Sequence, residues 1–471
     1  MDQPIIIEPI TRIEGHGKIS IHLAPNGEVA DAKLHVTQFR GFETFCQGRP
    51  FAEMISLVER ICGICPISHS LASAKACDDI LGIRVPETAQ KLRVLLNCGE
   101  FIQSHALSFF HLSGPDLILG MDAPAEKRNL FHMLQSHPEI AKDGIRLRQI
   151  GQQIIEGLTG KRIHPAWVVP GGVRTPLQEH ERDTLLERLP EAQAILERAI
   201  TLFIESLKKW QDEIEHFANF PTLFVALTNS SGQLEHVHGN LRCIDENGAI
   251  LEQCQTAAAY QDIIGEASEQ YSYLKSPFYI PRGYPAGMYR VGPAARLNVA
   301  NGCPTPWAHT LWEQFRLFAQ GPILSSFYNH FARLVEIVYC LETAEQLLQE
   351  SNITSKHIRA HAQPNYHEGI GIVEAPRGTL IHHYNVNTDG LIERVNLIVA
   401  TGNNNLAMNK GLVQVAKKWV KGSSLSEGAI NRLQAVIRAF DPCLSCSTHA
   451  VRGPVTAIEL LNYDGKLLDS I

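Results

Sequence analysis

The sequence lacks the features that would assign the protein to a membrane or to nucleic acid. No run of about 18 apolar residues occurs, so no membrane-spanning helix is expected. The first residues carry an early acid and no apolar stretch followed by a cleavage site, so we predict a cytoplasmic protein without a signal peptide. The formal net charge of −7 argues against a surface built to bind nucleic acid phosphates.

Internal repeats, low-complexity segments and a dinucleotide-binding fingerprint are also absent. The segment "GIGIVEAPRG", residues 369–378, contains Gly-x-Gly but lacks the third glycine, so NAD is not expected to bind to this chain. With 44% hydrophobic and 19% charged residues, the composition is that of a globular protein with much buried surface. We predict an α+β, mainly α fold, in which a core of long helices carries small peripheral β elements.

Hydrophobic periodicity predicts where the hairpins and the long helices lie. Apolar and polar residues alternate over 18–23 and 28–38, which predicts a hairpin around "APNG". A second hairpin is predicted over 378–401 around "TDG". A long apolar-rich helix is predicted over 86–112, one or two long amphipathic helices over 178–220, and a further helix over 426–440.

Cysteine is the residue whose distribution carries chemical information. Four of the eleven cysteines form two Cys-x-x-Cys pairs, one in "RICGICPISH" and one in "FDPCLSCSTH", and a histidine follows each pair. In a reducing cytoplasm, paired thiols indicate metal or redox chemistry more often than a disulfide. The other seven are scattered, and we expect most to be small buried hydrophobes: Cys46, Cys77, Cys98, Cys243, Cys254, Cys303 and Cys340.

Four thiolates make a complete tetrahedral ligand set, which several metals accept. Structural zinc is one alternative, but its Cys-x-x-Cys pairs usually lie about 15–20 residues apart, and these lie near opposite ends of the chain. A thioredoxin-like dithiol needs a βαβ context that neither pair has. Nickel and iron also suit thiolates, and residue type alone does not choose between them. If the site is redox-active, a partner subunit must carry the electrons, because the remaining cysteines show no cluster spacing.

The two cysteine motifs resemble the signature motifs of nickel–iron hydrogenase large subunits. Further segments resemble other motifs of the family, and they follow one another along the whole chain in the same order as in the family. Their sequences are most similar to those of the soluble, NAD-reducing subgroup. These segments are "RIEGH" (12–16), "RGFE" (40–43), "SFFHLSGPD" (108–116), "RIHPAWVVPGGV" (162–173), "EAPRGTL" (374–380) and "LIVATGNNNLAMN" (397–409).

The resemblance implies a nickel–iron centre whose iron carries one CO and two cyanides. Cys62, Cys65, Cys443 and Cys446 would hold the nickel, and the second cysteine of each pair would also bind the iron. Splitting dihydrogen needs a metal that accepts hydride and a base that accepts the proton, and a metal-bound thiolate can be that base. The family favours Cys443 for this role, with Glu14 receiving the proton, since a partly desolvated carboxyl suits a proton relay.

The resemblance also assigns residues around the centre. An anionic, poorly solvated cluster needs nearby cations, and Arg377, preceded by Pro376, is the matching one. Asp116 and Asp441 match acids that hold this arginine, and His69 matches a hydrogen-bond donor to a bridging sulfur. Without the resemblance, ion pairs, helix caps and a satisfied core histidine would explain the same residues.

A second metal site and a processing step are implied near the C-terminal motif. Glu43, the backbone carbonyl near Leu397 and His449 match ligands of a site usually occupied by Mg²⁺, although Mg²⁺ prefers oxygen and one histidine is atypical. In the family a specific maturation endopeptidase cuts after the last motif's histidine. We therefore expect a single domain over 1–449 and a removed propeptide over 450–471, with a plain terminal hairpin as the alternative.

These implications predict the catalytic subunit of a nickel–iron hydrogenase, which interconverts H2 with protons and electrons. Its expected partners are flavin- and NAD-binding diaphorase subunits and an iron–sulfur small subunit. The alternatives are an NADP- or coenzyme F420-linked cytoplasmic hydrogenase and a non-catalytic, zinc-stapled structural subunit. The related quinone-pocket subunit of the respiratory NADH–quinone complex is set aside because it lacks the four cysteines.

Overall fold

Helices are the main regular element of the fold in the computed structural model, which describes residues 4–422, 425–449, 459–461 and 467–470. The α-helices are α1 (Phe42–Phe45), α2 (Met54–Val58), α3 (Pro66–Leu81), α4 (Glu87–Ala106), α5 (Gly114–Leu119), α6 (Leu130–Ser136), α7 (Pro138–Thr159), α8 (Glu179–Leu186), α9 (Leu189–Ser206), α10 (Gln211–His216), α11 (Tyr260–Ile263), α12 (Pro293–Val299), α13 (Pro306–Arg316), α14 (Asn329–Gln349), α15 (Ala400–Asn403), α16 (Asn405–Trp419) and α17 (Glu427–Phe440). Short 3₁₀ turns cover Phe51–Glu53, Glu59–Ile61, Leu207–Lys209, Ala257–Ala259, Ile280–Arg282, Ser326–Tyr328 and Ser445–Ser447.

The strands form small sheets, as the mainly α prediction requires. They are β1 (Ile5–Ile7), β2 (Lys18–Leu23), β3 (Val29–His35), β4 (Val168–Val169), β5 (Gly172–Val173), β6 (Leu223–Thr228), β7 (Asn240–Ile244), β8 (Ile250–Gln253), β9 (Ile264–Glu269), β10 (Ser272–Tyr279), β11 (Tyr289–Arg290), β12 (Glu368–Ala375), β13 (Gly378–Val386), β14 (Ile392–Ile398), β15 (Glu459–Leu461) and β16 (Leu467–Ser470). Antiparallel sheets run in the orders β1-β2-β3 and β12-β13-β14, and β11 joins β6-β7-β8 through a parallel pairing.

Both predicted hairpins are present, and each gains a third strand. The pairs β2–β3 and β13–β14 are the hairpins, and β1 and β12 extend them. The segment over 178–220, predicted as one or two helices, is three helices, α8 to α10. Pro190 lies in the first turn of α9 and so marks the break between α8 and α9. Within the described part of the chain, we find no helix long and apolar enough to cross a bilayer.

The predicted helix over 86–112 has the expected start but changes its winding. α4 begins after Pro86 with Glu87 in its first turn, which suits the helix dipole. Residues Leu107–Ser113 then form a π-helical segment before α5. Such widened turns are rare and frequently mark functional sites.

Close packing of α3 on β12 places the two halves of the site next to each other. Gly369 and Gly371 of β12 face the carbonyls of Ala76 and Ala72, and a Cβ at either glycine would clash with those oxygens. α3 follows the first cysteine pair directly, and β12 leads into the turn that holds Arg377. The glycines therefore bring that turn towards the N-terminal cysteine motif.

The end of α17 directs the second cysteine pair onto the N-terminal segment. Ser426 caps the helix by accepting from the Ala429 N–H at 3.2 Å, and Asp441 ends it in the left-handed conformation at φ 53°. Beyond this bend, Cys443 lies in a parallel bridge with Glu14. Residues 450–458, which follow the predicted cleavage point, lie outside the described residues. Further along the chain, β15 and β16 pair in the antiparallel direction.

Candidate metal centre

The sulfurs of the two cysteine pairs, 381 positions apart in sequence, meet in one buried cluster. The Sγ atoms of Cys62 and Cys443 are 3.6 Å apart, and those of Cys65 and Cys446 are 3.9 Å apart. All four sulfurs lie within 4.8 Å of one another. None of the four residues is more than 5% exposed. A metal ion can therefore be held by all four at once, as the sequence predicted.

Local backbone geometry points the donors of each motif at the cluster. The N–H groups of Ile64 and Cys65 point at Cys62 Sγ, at 3.3 and 3.0 Å, and so favour a thiolate there. On the other side, the Cys443 N–H donates to Thr401 Oγ1 at 2.9 Å. These contacts fix the backbone of both motifs around the four sulfurs.

The neighbouring thiols and Arg377 affect how readily each cysteine of the cluster ionises. Burial opposes ionisation of Cys62, but hydrogen bonds from the other thiols and the charge of Arg377 outweigh it, so the pKa of Cys62 falls well below its usual value. For Cys443 and Cys446, burial raises the pKa well above the usual value. Four thiolates packed this closely need cationic compensation, which a bound metal pair supplies.

Arg377 is the buried cation beside the cluster. Its Nε donates to the Asp441 carbonyl at 2.7 Å, and another of its nitrogens donates to Asp441 Oδ1 at 3.2 Å. Burial alone would lower the pKa of Arg377, but the negative charges of Asp441 and the cysteines raise it well above its usual value. Arg377 is therefore a permanent positive charge at the anionic site, and Asp441 binds its guanidinium through two hydrogen bonds.

Asp116 binds Arg12 and Arg438, whereas the resemblance implied that it would hold Arg377. Its carboxylate accepts from both terminal nitrogens of Arg12, at 3.0 and 2.5 Å, and pairs with Arg438 Nε at 3.1 Å. Arg12 also donates to the Leu112 carbonyl at 2.7 Å, inside the π-helical segment. Asp116 thus binds the N-terminal segment that contains Glu14, instead of the Arg377 side chain.

Glu14 contacts the cysteine that was predicted to be the base. Its Oε2 accepts from the Cys443 thiol at 3.0 Å and from the Ser445 N–H at 3.1 Å, and Oε1 accepts from the Ser445 hydroxyl. Gly15, at φ 85°, has no room for a Cβ beside Leu444, so the N-terminal segment approaches the motif closely. The structure therefore brings Glu14 within direct proton-transfer distance of Cys443.

Sequence comparison assigns the family. A profile described as "Nickel-dependent hydrogenase" matches residues 40–143 and 235–449, and one described as "HoxL-like" matches residues 4–39. The chain belongs to the nickel-dependent hydrogenase family. The four-sulfur cluster fits the nickel–iron centre of that family, and a buried all-thiolate donor set suits soft metals.

Relatives and solved structures extend the similarity over the whole hydrogenase chain. The NAD-reducing hydrogenase HoxS subunit beta of Cupriavidus necator is 38% identical, over 100% of this chain and 99% of its own. One chain of the F420-non-reducing hydrogenase of Methanothermobacter marburgensis is also 38% identical, over 98% of each sequence. An H2-reduced NAD⁺-reducing [NiFe]-hydrogenase structure superposes with a TM-score of 0.92 at 42% identity, covering 95% of this chain and 100% of that one.

A more distant structure shows the same fold with lower identity. The Ni-Fe-Se hydrogenase of D. vulgaris Hildenborough has a TM-score of 0.76 at 26% identity, over 95% of this chain and 100% of that one. The predicted mainly α fold is that of the hydrogenase large subunit. The zinc-stapled structural subunit is not favoured, because the matched family is nickel-dependent.

His69 of this hydrogenase lies in a buried row of hydrogen-bonded side chains. Its Nδ1 is 3.1 Å from His382 Nε2, and His382 Nδ1 is 2.6 Å from the Tyr384 hydroxyl. Burial lowers the pKa of His69 to about 4, so the ring is neutral at neutral pH. A neutral ring can donate only one hydrogen bond, and the row through His382 helps to decide which nitrogen does so.

Glu43, Leu397 and His449 line one small pocket, together with Glu266 and Lys275. Glu43 Oε1 accepts from the Leu397 N–H at 2.9 Å, so the contact observed at Leu397 is its amide, whereas its carbonyl was the expected ligand. Burial raises the pKa of Glu43. His449 Nδ1 is buried without a hydrogen-bond partner among the described residues. A desolvated carboxylate beside an unpartnered ring nitrogen fits a bound cation.

Sequence reasoning missed several side chains that support the centre. Ser445 and Thr401 bind Glu14 and Cys443, and Ser104 contacts Arg377 at 3.5 Å. Ser445 was visible as a hydroxyl between the two cysteines of the second motif, but nothing in the sequence indicates that it faces Glu14. The scattered cysteines are all buried, as expected.

Proposed function

We propose that this catalytic subunit delivers electrons from H2 to NAD⁺ through partner subunits. The observation that carries the proposal is the buried four-sulfur cluster with Glu14 on Cys443. NAD⁺ as the acceptor is supported by similarity to the NAD⁺-reducing structure and to the Cupriavidus protein. Because that acceptor belongs to the cytoplasmic pool, we place the complex in the cytoplasm.

An iron–sulfur small subunit would take the electrons, and flavin- and NAD-binding diaphorase subunits would pass them on. Within the described residues, the cluster is the one buried group of three or more metal-ligating side chains. Electrons could leave the cluster through this chain only if it held further redox centres. The path for the electrons must therefore begin in a partner subunit. The F420-non-reducing relatives have the same sequence identity to this chain as the Cupriavidus protein. A complex in which other subunits pass the electrons to a different acceptor is therefore the second candidate.

The acceptor is tested on the affinity-purified complex. We expect iron–sulfur and flavin subunits to co-purify. The rate of hydrogen-dependent reduction should be higher with NAD⁺ than with NADP⁺ or coenzyme F420 by more than about tenfold, because a single recognition contact can provide discrimination of that size. Reduction of an artificial dye by H2 is the control for an active centre. Dye reduction without NAD⁺ reduction, together with a different reductase subunit, would reject NAD⁺ as the acceptor.

Proton handling follows from the chain's own side chains. When bound, the nickel–iron centre supplies the chemistry that splits H2 and takes up its electrons. Cys443 holds the released proton at Sγ, and Glu14 Oε2, 3.0 Å away, receives it. The buried surroundings exclude water, and Arg377 stabilises the negative charge of the sulfurs. Asp441 fixes the direction of Arg377.

We also propose that Glu43 and His449 bind Mg²⁺ beside the centre. The Glu43→Gln variant should lose the bound Mg²⁺, because the amide removes the carboxylate charge from a desolvated pocket. Elemental analysis of the purified complex measures this, and the thermal midpoint should fall with it. Glu53→Gln, at an exposed acid, is the control. Unchanged Mg²⁺ content in Glu43→Gln would contradict the site.

We further propose that the chain matures as a single domain ending at His449. Three observations support this: the family match ends at residue 449, the solved structures cover 95% of the chain, and His449 is only 3% exposed. The Cupriavidus relative, in contrast, matches 100% of the sequence.

Intact-mass measurement of the subunit from active complex tests the maturation step. The expected mass is that of residues 1–449, with or without the initiator methionine, after removal of 450–471 by a maturation endopeptidase. A chain expressed without nickel should keep its full length and serves as the control. Full-length chains in metal-loaded, active complex would refute the cleavage.

A further inference from the structure

A fully buried arginine, Arg296 on α12, binds the backbone that leads into Arg377. One terminal nitrogen donates to Glu374 Oε2 at 2.8 Å and to the Ala375 carbonyl at 2.9 Å. The other donates to the Pro376 carbonyl at 3.1 Å. A single guanidinium with no exposed surface therefore contacts the three residues that precede Arg377.

Glu336 on α14 fixes the opposite side of the same guanidinium. The Nε and one terminal nitrogen of Arg296 donate to the two carboxylate oxygens of Glu336, the latter at 2.7 Å. Glu336 Oε2 also lies 2.9 Å from His105 Nε2, and the ring of Phe101 lies 5.2 Å from the guanidinium centre. Burial would lower the pKa of Arg296, but the charges of Glu336 and Glu374 outweigh it and raise the pKa. The cation is thus compensated and held on both sides.

Glu374 connects this anchor to both arms of the turn. Its Oε1 accepts from the Thr379 hydroxyl at 2.8 Å, and its backbone N–H donates to the His236 carbonyl at 2.7 Å. β12 and β13 pair up to Ala375 and Gly378, so Pro376 and Arg377 form the two-residue connection between them. Movement of β12 or β13 would break the contacts of Glu374. These contacts therefore restrict the position of the two-residue turn between the strands.

We propose that Arg296 is a positioning residue for Arg377, setting where that guanidinium lies relative to the cluster sulfurs. This inference rests on the proposed function, because it concerns the charge delivered to the centre. The contacts of Arg296 point in several directions within one plane, a geometry that matches a guanidinium fork and that a lysine ammonium cannot reproduce. Arg296 touches neither sulfur nor Asp441 in the contacts described, so its influence passes through the turn.

The test compares Arg296→Lys with Arg93→Lys in the purified complex. Arg93 is a matched control, since it is 4% exposed and binds one acid, Asp78, at 2.6 Å and the carbonyl of Val169 at 2.9 Å. Both variants should lower the thermal midpoint. Only Arg296→Lys should shift the infrared bands of the CO and cyanide ligands and slow hydrogen oxidation by about tenfold, while nickel and iron contents stay normal.

The infrared bands and the metal contents of the variants decide whether Arg296 positions Arg377. Infrared bands that do not move in Arg296→Lys, as in Arg93→Lys, would overturn the inference. A second variant, Glu374→Gln, removes one of the two acids that bind Arg296, the one next to the turn, and should shift the bands in the same way. If both Arg296→Lys and Glu374→Gln lose nickel and iron while Arg93→Lys keeps them, the role is in assembly and the inference fails. Absence of the bands from the unmodified complex would instead overturn the nickel–iron assignment of this chain.

Discussion

The Cys65→Ser variant is expected to lack stoichiometric nickel and iron and to have lost hydrogen oxidation. Cys65 lies 2.8 Å from Cys62 and 3.9 Å from Cys446 at the sulfurs, so it faces both halves of the donor set. A serine hydroxyl does not ionise at neutral pH and is a poor ligand for soft metals. Activity should fall by more than about 100-fold, because losing even a hydrogen-bond partner of a ligand costs about 10–100-fold.

Cys77→Ser is the matched control for this prediction. Cys77 is on α3, the helix that Cys65 immediately precedes, and it is also buried, but its thiol donates to the Phe51 carbonyl at 3.3 Å. Burial raises the pKa of that thiol, so it stays protonated, and serine can replace it as a donor. Metal analysis should show normal nickel and iron in Cys77→Ser. Normal nickel in Cys65→Ser, or equal loss in both variants, would contradict the cluster as the metal site.

Glu14→Gln should retain the metals and lose turnover. The amide can still accept hydrogen bonds from Cys443 and Ser445, so the local structure should persist. It cannot take up a proton, and loss of general acid–base function costs about 10²–10⁴-fold in rate. Hydrogen-dependent dye reduction measures the rate, and metal analysis with infrared spectroscopy checks that the centre is intact.

Glu28→Gln, at an exposed acid in the β2–β3 hairpin, controls for charge removal. It should behave as the unmodified complex does. A Glu14→Gln complex that oxidises H2 at a near-normal rate would move the proton route to other residues. A variant that also lost its metals would show that Glu14 is needed for assembly of the centre.

Much of the metal centre was predictable because its chemistry is concentrated in short motifs. Cys-x-x-Cys spacing brings two sulfurs together locally, and the family motifs placed Glu14 beside Cys443 and Asp441 beside Arg377. The hairpins were predictable from alternation, since their register depends on neighbouring residues. Short sequence patterns were therefore enough to predict those features whose structure depends on neighbouring residues.

The missed features depend on contacts between distant residues. Asp116 binds Arg12 across 104 positions, and Arg296 binds Glu374 across 78, and neither spacing has a periodic or motif signature. The π-helical segment was also hidden, because its residues have the same apolar pattern as the α-helix before it. Partner choice among buried charges is decided by three-dimensional packing, which a single sequence does not display.

Anomalous diffraction from crystals of the purified complex, recorded at the nickel and iron absorption edges, would show whether the four cysteine sulfurs hold nickel and iron. The four-cysteine assignment predicts one nickel peak in contact with the sulfurs of Cys62, Cys65, Cys443 and Cys446, and one iron peak shared by Cys65 and Cys446. A zinc peak at the four sulfurs, or nickel and iron peaks located elsewhere in the chain, would contradict it.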